Sequence, residues 1–529
     1  MTNELDDLAR RAILGHLSRR DFMGRAAALG IAAPAAMSLL SRAAAAAGPQ
    51  KGGQLKIGMV GGAATDSLDP ATFSSQVPYT FGRYWGETLT ETSPVDGSAV
   101  PVLAESWSSS DDARTWRFRI RKGVAFHDGR AMTVDDVVAT LVRHSGEKAK
   151  SGALGMMRGI ERIEASGEEV VIRLKEANVD LPLLLSDYHL IIQPNGGIDK
   201  PDAGIGTGPY KVETAQHGVR YLASRVKDHW RENVGHVDSI ELLVINDLTA
   251  RTSALMSGQV HLINRVDPKT VDLLKRSPNV AIENVSGKGH YVFLMHCDKE
   301  PFSNPDLRLA MKLAMDRETM LKQVLRGYGK IGNDFPINEA YELFPDDIPQ
   351  RPYDPDQARH HYQKSGHSGP ILLRTSDVAF PGANDAAVLF QQACAKAGIP
   401  VEIKREPGDG YWSEVWNRQP FCTSYWGGRP TQDQMYATAY VSTADWNDTK
   451  WFRPAFDRLL VQARGELDKG KRKDMYRQLA LMVRDDGGLI LPMFNDYIDA
   501  RSAKVQGFVK DPAGELSNGF AGIRVWLTA

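Results

Sequence analysis

The sequence predicts an α/β protein built as more than one lobe, and three observations carry that expectation. Its 529 residues, 42% hydrophobic and 24% charged, are ordinary for a globular chain and long enough for two or three domains. Between Thr115 and Val142 a period-two strand pattern, a tight turn and a capped amphipathic helix follow one another. Between Ile371 and Lys404 two more strand patterns flank an Ala-rich helix, which sets a second α/β region far along the chain.

The first 47 residues stand apart from that fold. Ser18-Arg19-Arg20-Asp21-Phe22-Met23 resembles a twin-arginine export signal, an apolar run from Ala26 to Leu40 follows, and Ala43 to Ala47 suits a signal peptidase. Cleavage near Ala47 is expected. Segment 1–47 carries six Arg and four acidic residues, so a full-length charge of -1 becomes about -3 in the mature chain. Neither value favours a polyanion, and no Lys/Arg-rich run offsets it, so nucleic acid is not an expected partner.

After the leader, Gln54–Val60 reads as a strand, 66–75 as a loop turning at Asp69-Pro70, and Tyr79–Leu89 as a helix. Trp116, Phe118 and Ile120 alternate with Arg117, Arg119 and Arg121, the pattern of a half-buried strand. Asp128-Gly129 supplies the turn. Thr133 and Asp136 then form a capping-box variant ahead of an apolar face at Val134, Val137, Val138, Leu141 and Val142. Gly206-Thr-Gly-Pro-Tyr210 reads as a glycine-permitted turn into a strand region that includes Arg220–Arg225. Asn304 or Asp306 can cap a helix with Leu309, Leu313, Met320, Leu321 and Val324 on one face. Strands at Ile371–Arg374 and Val401–Lys404 enclose a helix Asn384–Lys396 closed by Gly398, and helices at Pro454–Leu467 and Lys471–Arg484 come before a return strand.

Motifs for catalysis are missing where they would have to be. Gly287-Lys288 lacks the Walker A context, because Ile282 stands five places before Gly287 and Gly289 follows the lysine. Neither a His-Glu-x-x-His nor a Gly-x-Ser-x-Gly motif occurs, and Gly204, Gly206 and Gly208 alternate too tightly for a dinucleotide fingerprint. His127 has no second metal ligand at useful spacing and reads as a structural turn histidine. Cys297, Cys394 and Cys422 are too far apart for a metal pattern and read as buried thiols. No cysteine lies near the leader to take a lipid, and no apolar run after it approaches 18 residues, so a soluble exported protein is expected.

One stretch has an unusual composition. Tyr425, Trp426, Tyr436, Tyr440, Trp446 and Trp451 fall close together, mixed with Gly427, Gly428, Arg429, Asp433, Asn447 and Asp448. Aromatic faces with a few polar groups and glycines suit a ligand pocket, and they equally suit a loop buried between two lobes.

Several motifs resemble a known family. Pro101-Val-Leu-Ala-Glu-Ser-Trp107, Thr115–Arg121, Lys122-Gly-Val-Ala-Phe-His-Asp-Gly129 and Thr133-Val-Asp-Asp-Val137 look like the signature of the extracellular solute-binding proteins of family 5. Gly206–Tyr210, Pro301–Ala310 with Ala314-Met-Asp-Arg317, and Ile490-Leu-Pro-Met493 extend the likeness over the mature chain. These are the dipeptide, oligopeptide, opine and nickel receptors of ABC importers. The resemblance implies a type II, two-lobe Venus-flytrap periplasmic binding protein with an extra subdomain in its first lobe. Lobe I would span 48–288 with an inserted subdomain at about 92–200, lobe II 289–495, and 496–529 would return to lobe I. The chain would cross between lobes just before Tyr291 and again near Leu491–Tyr497.

It further implies a monomeric, soluble periplasmic receptor without lipid anchor, cofactor or enzymatic turnover. Such a receptor encloses a small solute and presents it to an ABC permease and its ATPase. An exported enzyme, or a receptor of this fold for a metal chelate or haem, is the competing reading. Phe73, Ser74 and Ser75 would face Trp426, Arg429, Asp433, Trp446 and Asn447 across the cleft. Peptide receptors of this family carry an Asp in this loop for the ligand's ammonium; here the matching place is Gly428, followed by Arg429. A guanidinium prefers a carboxylate, so a small peptide, opine or similar carboxylate-bearing ligand is expected, with Asp433 left as a partner for an amine.

Overall fold

In the computed structural model, residues 19–29, 31, 36, 48–146 and 148–528 are described. Of the expected leader, Arg19–Ala28 forms a helix with Phe22 and Ala26 fully buried, while the cleavage region at 43–47 lies outside the described residues. No helix among the described residues is long and apolar enough to cross a membrane.

Strands and helices alternate around a sheet that runs through the whole molecule. Its order from one edge is Val401–Arg405, Ile371–Thr375, Phe421–Trp426, Val280–Met295, Leu489–Ser502, Leu262–Ile263, Gln54–Met59, Ser239–Val244, Arg220–Arg225 and Tyr210–Gln216. The long strands Val280–Met295 and Leu489–Ser502 are antiparallel and join two separate cores. Val292 to Met295 and Leu489 to Met493 belong to the core of the second lobe, with Phe390, Phe421 and Trp451. Leu55, Ile57, Phe81, Trp85 and Tyr221 build the first lobe's core. Leu516, Phe520 and Ile523 from the chain's end complete that core.

The two long strands change character where the lobes meet. Val280–Ser286 pairs in register with Ser502–Asp496, the register slips, and pairing resumes at His290 opposite Phe494. Gly287 and Gly289 lie in the slip. A Cβ on Gly287 would stand 2.3 Å from the Tyr497 ring, so a residue without a side chain is what lets that tyrosine lie flat across the crossing.

A four-stranded antiparallel sheet, ordered Ala104–Ser109, Thr115–Ile120, Glu169–Leu174, Ile160–Ser166, carries a third core with helix Val134–Ser145. The capping box forms as expected: the Thr133 hydroxyl accepts from Asp136 N (3.2 Å), and the Asp136 carboxylate accepts from Thr133 N (2.9 Å). The buried face differs from the expected one. Val142 is 48% exposed, whereas Thr140 and His144 are buried with Val137 and Leu141. The helix has turned by about one position, because His144 finds a partner inside, Ser151 Oγ at 2.6 Å, and burial lowers its pKa to about 3.

Three other local expectations take a different form. The helix expected through Val324 is two helices, Pro305–Leu313 and Arg317–Gln323, because Asp316 caps the second by accepting from Thr319 N. The helix expected over Tyr79–Leu89 runs from Gln76 to Trp85. Gly206 and Gly208 serve close approach as well as a turn: a Cβ on either would stand 2.5–2.6 Å from the Trp85 backbone. His127 sits in that junction with Nε2 2.8 Å from the Gly208 carbonyl, a structural contact. Cys297, Cys394 and Cys422 are free thiols, the last two buried.

Candidate functional site

The faces that meet at the crossing are rich in tyrosine and in charge. From the first lobe come Tyr79 and Tyr188, stacked at 4.7 Å between ring centroids, with Arg265 and Glu515 beside them. From the second come Tyr425, Tyr341, Tyr497 and Arg429. The lobes touch directly here, since the Arg265 guanidinium lies 4.5 Å over the Tyr425 ring. Burial, then the Glu515 charge, holds the Tyr79 phenol well above its ordinary pKa, with Tyr425 and Tyr497 adding to the effect from the opposite lobe. A small cavity nearby is lined by Arg265, Tyr291, Tyr328, Asp496 and Glu515.

Arg265 has φ +50, a left-handed backbone that a non-glycine residue adopts at a cost. Glu515 compensates: its Oε1 accepts from Arg265 Nε (2.8 Å), and its Oε2 accepts from Gln76 Nε2 (2.9 Å) and Asn264 Nδ2 (2.8 Å). Neighbouring Asp187 accepts from His189 N and lies 2.6 Å from His189 Nδ1, while His189 Nε2 lies 2.9 Å from the Phe73 carbonyl. Burial alone would raise the Asp187 pKa. The charge and hydrogen bonds of His189, with Arg429 acting from the other lobe, bring it to about 2.

The eight residues expected to line the pocket divide into distinct groups. Arg429 is half-buried: its guanidinium lies 5.7 Å over the Trp426 ring, its N–H donates to Tyr341 Oη (3.2 Å), and its Nη1 donates to the Gly428 carbonyl. Among the described residues no carboxylate lies within ion-pair distance of it. Ser74 is exposed, and Ser75 stands at the start of helix Gln76–Trp85 with its hydroxyl donating to Asp66 (3.0 Å). Phe73 is 2% exposed in the first lobe's core, packed on Gly82.

Asp433 is 1% exposed, and both its oxygens accept from Arg464 Nε at 2.9 and 3.1 Å, so its charge is neutralised inside the second lobe. Asn447 is also committed. Its Nδ2 donates to the Tyr440, Val441 and Trp451 carbonyls, and its Oδ1 accepts from Trp451 N. These geometries bind the loop to itself.

Trp426 and Trp446 form a triangle with Trp416, with centroids 5.9–6.3 Å apart. Trp416 and Trp426 both donate Nε1 to Asp448 Oδ2, at 2.9 and 3.0 Å. Burial pushes the Asp448 carboxyl up to about 7 against those two donors. Its folded pKa is raised, so its stabilising contribution is complete below the unfolded value of about 3.9 and declines as pH rises toward 7. Tryptophan emission should titrate with a midpoint near 7, and Asp448→Asn should remove that step. A flat emission curve from pH 5 to 8 in the parent protein would contradict this placement.

Composition did not point to Tyr79, Tyr188, Arg265, Tyr341, Tyr497 or Lys288. Lys288, flanked by two glycines on the crossing strand, was the most readable of them. Gly428 is glycine for a packing reason, since a Cβ there would stand 2.6 Å from Lys288 Cβ.

Residues 98–448 match the family of bacterial extracellular solute-binding proteins, family 5, middle part. Di/tripeptide-binding protein 1 of Pseudomonas aeruginosa is 27% identical over 73% of this chain and 79% of its own length. Among solved structures, the periplasmic binding protein DppA from Helicobacter pylori with the peptide STSA superposes with TM-score 0.81 at 22% identity, covering 91% of this chain and 99% of that one. AgaA from A. tumefaciens R10 with agropinic acid gives TM-score 0.80 at 23% identity, covering 90% and 99%. With two lobes joined by a pair of long strands and a family match over most of its length, the chain belongs to the bacterial extracellular solute-binding proteins of family 5.

Proposed function

We propose that this protein is the soluble periplasmic receptor of an ABC importer, exported through its twin-arginine leader, and that it encloses a small carboxylate-bearing solute between its lobes. It acts as a monomer that binds and does not turn over. The observation that carries the ligand class is Arg429, a guanidinium at the lobe interface with no carboxylate partner among the described residues. Peptides and an opine derivative occur in the names of similar proteins, and both carry carboxylates. Closure brings Tyr79, Tyr188 and Arg265 against Tyr425 and Tyr497, so a ligand held by both faces favours the closed state.

Such a ligand stabilises the fold by RT ln(1 + [L]/Kd), about 2.7 kcal/mol at a hundredfold excess over Kd. A thermal-shift screen of the mature protein against amino acids, short peptides, N-acylated peptides, opines, polycarboxylates, sugars and metal chelates should show upward shifts confined to acids. Shifts from sugars alone, or from no compound, would overturn the reading.

A further inference from the structure

We infer that the cleft of this receptor selects ligands that carry two acidic groups and no ammonium group. This rests on the capture of a small solute proposed above and narrows its chemistry. Four carboxylates at or near the lobe interface are already engaged. Glu515 takes three donors from Arg265, Gln76 and Asn264. Asp187 is held by His189 and faces Arg429. Asp433 is neutralised by Arg464, so it does not supply the ammonium partner that the sequence left open. Asp499 accepts from Leu516 N at 2.6 Å, and burial beside Glu515 holds it well above the usual carboxylate range. An ammonium arriving beside these four would be desolvated without a free counter-charge from them, which is costly.

The cations are in the opposite condition. Lys288 is 6% exposed; its Nζ donates to the Pro430 carbonyl at 2.9 Å and lies 4.5 Å over the Tyr341 ring. Among the described residues no carboxylate stands within ion-pair distance, and burial lowers its pKa to about 8. Arg429 is bound to the same tyrosine through its backbone N–H. Tyr341 thus gathers two cations, one on the crossing strand and one on the second lobe's loop, and among the described residues neither has a carboxylate within ion-pair distance. A ligand with two acidic groups supplies both counter-charges at once, and a bidentate carboxylate suits the guanidinium.

Matched peptides isolate each group. Calorimetry on the mature protein should compare N-acetyl-Ala-Glu with Ala-Glu, which differ in the ammonium, and with N-acetyl-Ala-Gln, which lacks one carboxylate. Glutarate and citrate serve as amine-free acids. N-acetyl-Ala-Glu should bind at least tenfold more tightly than either relative. Lys288→Met should erase the preference for Glu over Gln while leaving the preference for the acetylated form. If Ala-Glu matches N-acetyl-Ala-Glu within about threefold, the inference fails and the capture reading stands. If no amine-free acid binds but a free dipeptide does, the inference is again overturned alone. Silence from every probe here and from the thermal-shift screen overturns both.

Discussion

Replacing Asp334 with Ala is expected to cost the fold about 3–5 kcal/mol, the penalty for stranding buried cations. Asp334 is fully buried, and Arg317 Nη2 donates to both its oxygens at 2.6 and 2.7 Å. Arg351 Nε stands 2.9 Å from the same carboxylate, and Leu491 N donates to it at 2.9 Å. Arg317 and Arg351 are 3% and 7% exposed, so removing the anion leaves Arg317 without its buried carboxylate and Arg351 with only Asp485, 2.8 Å from its Nη2. Burial raises the Asp334 pKa, but Arg317, Lys312 and Arg351 together lower it below the ordinary value. A lowered folded pKa means that the stabilisation is present above the unfolded value of about 3.9 and is lost as pH falls through the folded one. Urea unfolding at pH 7 should show the loss in the midpoint, and Asp334→Asn should fall between parent and Ala, because it can still accept from Leu491. A change under about 1 kcal/mol for the Ala variant would mean the cluster contributes little. Leu491 lies on the strand that carries Tyr497 into the lobe interface, so the same clamp fixes one wall of the site.

Local rules made the scaffold legible. The alternation at Trp116–Ile120 and the Thr133 box carry their own hydrogen-bond and burial logic within a few residues, and both formed as read. Where a second element decides, local reading failed. His144 displaced Val142 from the buried face because Ser151, seven residues on, offered a partner. The aromatic stretch from Tyr425 to Trp451 met both of its possible fates. Tyr425 and Arg429 lie at the lobe interface, whereas Asn447, Asp448 and Trp451 bind a loop inside the second lobe. Pocket walls and buried polar loops draw on the same residue types, so composition could not divide them. Asp433 shows this most directly, since its partner Arg464 is 31 residues away on another helix. The interface itself gathers Tyr79, Tyr188, Lys288, Tyr341, Tyr497 and Glu515 from six separate segments, and only the long-strand crossing brings these together.

Replacing Arg429 with Ala should abolish the melting shift given by acidic ligands and leave the ligand-free melting point almost unchanged. The second half follows from what Arg429 does in the fold. Its backbone N–H bond to Tyr341 survives the substitution, its Nη1 bond returns to the adjacent Gly428 carbonyl, and its remaining contact is the face of Trp426. A half-buried cation–π contact of this kind contributes about 0.5–1 kcal/mol. The first half follows from Arg429 being the accessible guanidinium at this face. Arg265 is spent on Glu515, and Arg83, though it too has no carboxylate within ion-pair distance among the described residues, is buried in the first lobe, donating to the Ser186 carbonyl and lying over Phe520. Losing one charged hydrogen-bonding partner of a desolvated carboxylate costs about 2–5 kcal/mol, or roughly 30- to several-thousand-fold in affinity. Lys in the same place should restore part of the binding, since it keeps the charge without the planar pair of donors. Calorimetry and thermal shift on the Ala and Lys variants measure both halves. An Ala variant that melts several degrees lower without ligand would make Arg429 a structural residue, and one that binds acids as tightly as the parent would remove it from the site.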